Sequence, residues 1–122
     1  MIISLGEMRD DLRVTSDAED AQILSYMQAA QSMIEGWIGR PVYRSIEDLP
    51  LVGAPDYDPY QIVADGAIVV ALKKLVNSMY DEERGASGST SEDAVPPASV
   101  RALLARYRVF YRLPVVPISG VL

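Results

Sequence analysis

Apolar residues along this chain recur at helical spacing in four stretches, separated by segments with no period. The first opens at Ser4-Leu5-Gly6-Glu7, where Ser4 reads as an N-cap and Glu7 completes a capping box. Leu5, Met8 and Leu12 follow on one face and predict a short helix ending near Arg13, with Ile2 and Ile3 as an extended lead-in. A second box, Ser16-Asp17-Ala18-Glu19, predicts the start of a long helix, with Asp17, Glu19 and Asp20 crowding the first turn, where the helix dipole favours anions. Ile23, Met27, Ala30, Ile34 and Trp37 then form a stripe at steps of four and three, which places Trp37 in the core. Gly39 and Pro41 stop this helix, which at ~1.5 Å per residue is ~30 Å long.

Residues 40–58 hold Pro41, Pro50, Gly53 and Pro55 and no helical period. They predict a long connection with a short strand or hairpin around Val42-Tyr43-Arg44, and loops of this length in compact domains are usually functional. Asp58-Pro59-Tyr60-Gln61 reads as an N-cap, a first-turn proline and a capping Gln. The helix it opens carries Ile62, Val69, Leu72, Val76 and Met79, widened by Ile68 and Leu75, and is predicted to be the central, most buried one. Asp81 to Asp93 is small, polar and acidic and predicts a mobile surface loop. Pro96-Pro97 opens a last helix with Val100, Leu103, Leu104, Tyr107 and Tyr111 as its stripe, closed by Pro114. The fold expected is all-α: a single domain over 1–122, a helical body of about four helices over 1–112 with a long central loop, and an irregular tail over 113–122. Ile34, Trp37, Leu72 and Leu104 are expected to meet in its core.

Composition narrows the chemistry. His and Cys are both absent, which removes His-based triads, Cys nucleophiles, zinc sites with N or S ligands and disulfides. The lack of Cys fits a reducing compartment. No apolar run approaches the ~20 residues of a membrane helix, and Met1-Ile2-Ile3-Ser4 lacks the basic start of a secretory signal.

The net charge of −6 argues against simple electrostatic binding of nucleic acid, but the charge is unevenly spread. Residues 1–96 hold all 17 acidic side chains against seven basic ones, a net of −10, whereas residues 97–122 hold four arginines and no acid. Those arginines either lie on a solvated helix face or form an arm that meets an acidic surface. On one continuous helix, Arg101, Arg108 and Arg112, spaced by seven and then four, would share a side. Beyond them, Leu113-Pro114-Val115-Val116-Pro117-Ile118 is an apolar, proline-extended peptide that either folds back over the core or docks on a partner. The expected subunit or partner interface is therefore Arg101, Arg108, Arg112, Tyr111, Val115, Val116 and Ile118.

Catalytic constellations are wanting. The pairs Asp10-Asp11, Glu19-Asp20, Glu82-Glu83 and Glu92-Asp93 are adjacent residues at caps or in polar segments, not a desolvated acid facing a base. Asp56-Tyr57-Asp58 lacks the remainder of a calcium loop. Gly85-Ala86-Ser87-Gly88-Ser89 has no following Lys, since Lys73 and Lys74 are the only lysines, so it is no phosphate loop. The expectation is a protein without enzymatic activity, cofactor or metal.

Several segments resemble one family. Ile2-Ile3-Ser4-Leu5, Leu12-Arg13-Val14 and Asp17 to Ile23 resemble the amino terminus of the phage head–tail connectors, small helical adaptors of long-tailed phages and prophages. Trp37-Ile38-Gly39-Arg40-Pro41 is similar to that family's aromatic-x-Gly-Arg helix end, and Pro96-Pro97 with Val100 to Leu104 and Tyr107-Arg108 resembles its carboxy-terminal motif. The connection 40–58 and the tail after Tyr111 are longer than the family pattern. The resemblance implies a structural virion protein at the head–tail junction, assembled in the host cytoplasm. It implies a ring, a dodecamer in the virion, beneath the portal protein. The ring would prolong the DNA channel, let duplex DNA pass without specific binding, and receive the next tail-completion or stopper protein. The alternative is a small helical regulatory or DNA-binding module that uses the Arg-bearing last helix for recognition.

Overall fold

The computed structural model describes residues 1–83 and 96–110. Among these, four α-helices pack around one apolar core: α1 (Leu5–Leu12), α2 (Asp20–Ile38), α3 (Gly66–Glu83) and α4 (Ala98–Leu104). Two short strands, β1 (Val42–Tyr43) and β2 (Ile62–Val63), pair in parallel, with Val42 opposite Ile62. The all-α expectation holds, with this ribbon as a small addition.

α1 starts as its sequence dictates. Ser4 Oγ accepts the Glu7 N–H and the Glu7 carboxylate accepts the Ser4 N–H, each at 3.1 Å. The carboxylate's place in this box holds the Glu7 pKa below its ordinary value, the backbone hydrogen bond from Ser4 being the largest cause. Ile2 and Ile3 are buried beside it.

The second capping box does not form. Ser16 Oγ turns back to accept the Ala18 N–H at 3.4 Å, and α2 begins only at Asp20, with no side-chain cap on its first turn. The acids expected to cap it are used in tertiary contacts: Glu19 accepts the Tyr80 hydroxyl at 2.8 Å and Asp20 pairs with Arg9 at 3.2 Å. Ile23, Met27, Ala30 and Ile34 are fully buried along α2, as the periodicity predicts. The stripe ends on Ile38, however, while Trp37 is only half-buried at the rim of the core.

α3 starts seven residues later than Asp58 suggests. Asp58 Oδ1 accepts the Tyr60 N–H at 2.8 Å and Gln61 Oε1 accepts the Asp58 N–H at 3.2 Å, but these bonds close a turn, not a helix. The β-branched Ile62-Val63 is drawn into the ribbon, with the Ile62 N–H on the Pro41 carbonyl and the Ala64 N–H on that of Tyr43. Asp65 then caps α3 by accepting the Ile68 N–H at 3.1 Å. α3 is the central helix: Ile68, Ala71, Leu72, Leu75, Val76 and Tyr80 are buried, and it packs on α1, α2 and α4. It runs through Asp81 to Glu83, residues expected in the following loop; the remainder of that loop lies outside the described residues.

The last helix is shorter than its sequence stripe. Val100 and Leu104 are buried against the core, but α4 ends at Leu104, a 3-10 turn covers Ala105–Tyr107, and Arg108 is extended.

Candidate interaction surface

Two regions display side chains that the fold itself does not consume. The first is the exit of the chain over the carboxy-terminal end of α2. Gly39 closes α2 in the left-handed conformation, at φ +73°, and the segment after the 3-10 turn lies directly on it. A Cβ at residue 39 would stand 3.0 Å from the Val109 carbonyl oxygen, so glycine is needed for space as well as for backbone geometry. The Val109 N–H donates to the Ile38 carbonyl at 2.7 Å. Arg108 donates from Nε to the Trp37 carbonyl at 2.8 Å, and its guanidinium lies 3.5 Å from the centre of the Trp37 ring and 4.6 Å from that of Phe110. Arg40 donates to the Tyr60 carbonyl at 2.7 Å and reaches the Tyr107 carbonyl at 3.5 Å, tying the turn before β2, the 3-10 turn and the residue after α2 together. Phe110 remains 70% exposed at the rim.

The arginines therefore differ from the single stripe expected of them. Arg101 is exposed on α4 and has no ion-pair partner among the described residues. Arg106 pairs with Asp65 at 3.0 Å and donates to its neighbour's hydroxyl, Tyr107 Oη. Arg108 lies outside the helix and packs on Trp37, because the chain leaves helical geometry at Leu104 and turns across α2. Arg112, Tyr111, Val115, Val116 and Ile118 lie outside the described residues. The same break removes the continuous Arg-bearing helix that recognition of DNA would use. Trp37, Phe110 and Arg108 meet at this exit, with Arg101 and Arg106 on the same acid-free segment; of these, only the four-arginine, acid-free composition was a sequence signal.

The second region is the connection between β1 and β2, where Ile46, Leu51 and Val52 are 75%, 81% and 82% exposed. The adjacent apolar pair, set between Pro50 and Gly53, was the available signal for it in the sequence. Glu47, Asp48, Asp56 and Asp58 share this segment, which holds no basic residue between 45 and 58. Tyr43 registers that field. Burial pushes its phenol pKa up first, with the charges of Asp56, Glu35 and Asp58 adding to the shift.

Elsewhere the chemistry is sparse. A groove of about 680 Å³ between α1, α3 and α4 brings Lys73 and Lys74 beside Asp11 and Asp81, where the two signs cancel. Among the described residues, no cluster of acids is placed to hold a metal ion, and no helix is long and apolar enough to cross a membrane.

These observations define a small helical-bundle domain whose most exposed large apolar side chains lie at a loop tip and at the chain exit. The sequence model of the phage gp6-like head-tail connector proteins matches residues 2–108, nearly all of the described chain, and the protein belongs to that family. It is thus a structural phage protein of the head–tail junction. No curated protein and no solved structure matches it. The match spans the Trp37-to-Pro41 helix end and stops at Arg108, where the packing of the exit segment on α2 begins.

Proposed function

We propose that the protein, a single connector domain, assembles into an oligomeric ring, a dodecamer in the virion. The ring docks under the portal protein, prolongs the DNA channel, and presents a platform to the next tail-completion or stopper protein. The family match over residues 2–108 carries this reading. The charge distribution supports it, since a closed head-to-tail ring needs two unlike, complementary patches on each subunit. The acidic body and the arginine-rich end are such a pair. Net acidity also suits a channel through which duplex DNA must slide without being held. The protein has no catalytic part in this scheme, and it is made and assembled in the host cytoplasm.

The test is negative-stain microscopy with mass photometry on the full chain, alone and with the portal protein, at low and high salt. Rings with a central hole are expected. Arg101→Glu and Arg112→Glu should weaken assembly, and truncation after Leu113 should weaken docking, with helical circular dichroism unchanged in each. A protein that stays monomeric at every concentration, with and without the portal protein, overturns the reading.

A further inference from the structure

The ring reading pairs the arginine-bearing end with the acidic body and leaves the surface of that body unassigned. We propose that the counterpart is the loop between β1 and β2: its tip, Leu51 and Val52 set among carboxylates, docks on the next copy of this chain around Arg101 and Phe110. The inference rests on the self-assembly proposed above and names the surface that completes it.

The tip is built to project. Leu51 to Ala54 form a β-turn in which the Leu51 carbonyl accepts the Ala54 N–H at 2.9 Å, and Gly53 takes the positive φ, +95°, that such a turn requires at its third position. The base of the turn is pinned by Gln61, whose Nε2 donates to the Pro50 carbonyl at 2.9 Å, and by the Tyr57 N–H on the Ala54 carbonyl. A bonded turn thus holds two adjacent apolar side chains more than four-fifths exposed, with Ile46 three-quarters exposed in the same segment. Solvent-facing apolar groups presented together on ordered backbone, rimmed by polar residues, mark an interaction site.

Charge selects the occupant. Residues 45–58 carry four acids and no base, while residues 97–110 carry three arginines and no acid. Arg101 is exposed and unpaired among the described residues, and Phe110 offers an exposed ring on the same acid-free segment. A symmetric tip-to-tip contact would bring the acidic rims of two copies together, which like-charge repulsion disfavours. A tip-to-exit contact places apolar on apolar and acid on arginine. Because the two faces differ, each copy can offer one and receive the other, the arrangement from which rings are made.

The chain's lack of cysteine makes an engineered pair unambiguous. The full-length double variant Leu51→Cys/Phe110→Cys, oxidised, should give a covalent ladder of multimers, and either single variant should give none. Leu51→Ser/Val52→Ser should keep the wild-type circular dichroism and melting temperature but assemble more weakly by about tenfold or more, as loss of a central apolar anchor does. Rings from the serine variant equal to those of wild type overturn this inference and leave the ring reading standing. So does cross-linking of Leu51→Cys alone into tip-to-tip dimers, or of the tip to the portal protein only. A wild-type chain that never assembles removes both.

Discussion

Arg108 offers the sharpest test of how the carboxy-terminal face is built. Its guanidinium stacks 3.5 Å from the Trp37 ring centre, touches Phe110 on its way out, and donates to the Trp37 carbonyl at 2.8 Å. A cation over an indole contributes ~0.5–2 kcal/mol, depending on how far it is desolvated. A hydrogen bond from a charged donor adds roughly 1.5–3 kcal/mol when well buried. Arg108 is half-buried and the two contacts share one group, so they do not add fully. Arg108→Ala should therefore cost about 1–3 kcal/mol by chemical denaturation, and roughly 4 °C of melting temperature for each kcal/mol lost. Trp37 is the only tryptophan, so its emission reports the site directly and should move to the red as the ring loses its cover. Arg108→Lys keeps the charge but not the planar stack or the directed Nε donor, and should recover little. A loss below about half a kcal/mol with unchanged Trp37 emission would refute the stacking argument, since either contact alone is worth at least that much. The sequence suggests that replacing Arg101, Arg108 and Arg112 together by Glu leaves the fold intact; the structure revises this, because a carboxylate at 108 would face the Trp37 ring and its carbonyl.

Three further outcomes follow from the packing. Leu72→Ala, at a fully buried position on the central helix, should cost ~2–5 kcal/mol by urea or guanidinium denaturation. Gly39→Ala combines a left-handed residue with a Cβ 3.0 Å from the Val109 carbonyl; it should cost about 1–3 kcal/mol and shift Trp37 emission by displacing the exit segment. Glu7 has a depressed pKa in the folded protein, so its capping contribution is present above the ordinary carboxylate range and is lost as pH falls through the lowered value. Carboxyl-detected NMR titration should find Glu7 below the ordinary glutamate value, and Ser4→Ala should move it only part of the way back, because alanine removes the hydroxyl but keeps the backbone N–H of residue 4, the largest cause of the shift.

Much of the fold was legible because period and cap agree with packing. The Ser4 box, the Ile23-to-Ile34 stripe and the apolar breadth of α3 each report a local preference that the core also rewards. The misread positions are those where a distant partner outcompetes the local signal. Ser16 to Glu19 spells a capping box, yet Glu19 is claimed by Tyr80, sixty-one residues away. Asp58 to Gln61 makes its capping bonds, but the residues that would continue the helix pair with β1. Tyr107 and Arg108 sit at helical spacing from Leu104, yet the chain turns to lie on Gly39. In the proposed interface, residue type was readable and geometry was not: four arginines without an acid stand out in composition, whereas the separate directions of Arg101, Arg106 and Arg108 depend on where α4 ends. The loop tip was passed over because turn residues flank it, and an apolar pair inside a turn has no period to announce it.

The structure also changes how the charge split can act in assembly. Of the arginines described on the acid-free segment, Arg106 is already opposite Asp65 and Arg108 is already stacked on Trp37. Their charges still contribute to the field of the face, which steers encounter and sets which surfaces can meet. Each already has a partner within the subunit, however, and an exposed ion pair adds only ~0–1 kcal/mol in any case. Of the three, Arg101 alone has no partner among the described residues. Electrostatics can thus select the orientation of one copy against the next but cannot hold it there. The holding energy has to come from apolar area, and among the described residues the large apolar side chains more than two-thirds exposed are Ile46, Leu51, Val52 and Phe110. Three belong to the acidic loop and one to the arginine-bearing exit. Raising the salt concentration should accordingly slow assembly more than it loosens rings already formed, because salt screens the long-range field and leaves the apolar contact intact. Rings that dissociate in high salt as readily as they fail to form would show that ion pairs, not the loop tip, hold the copies together.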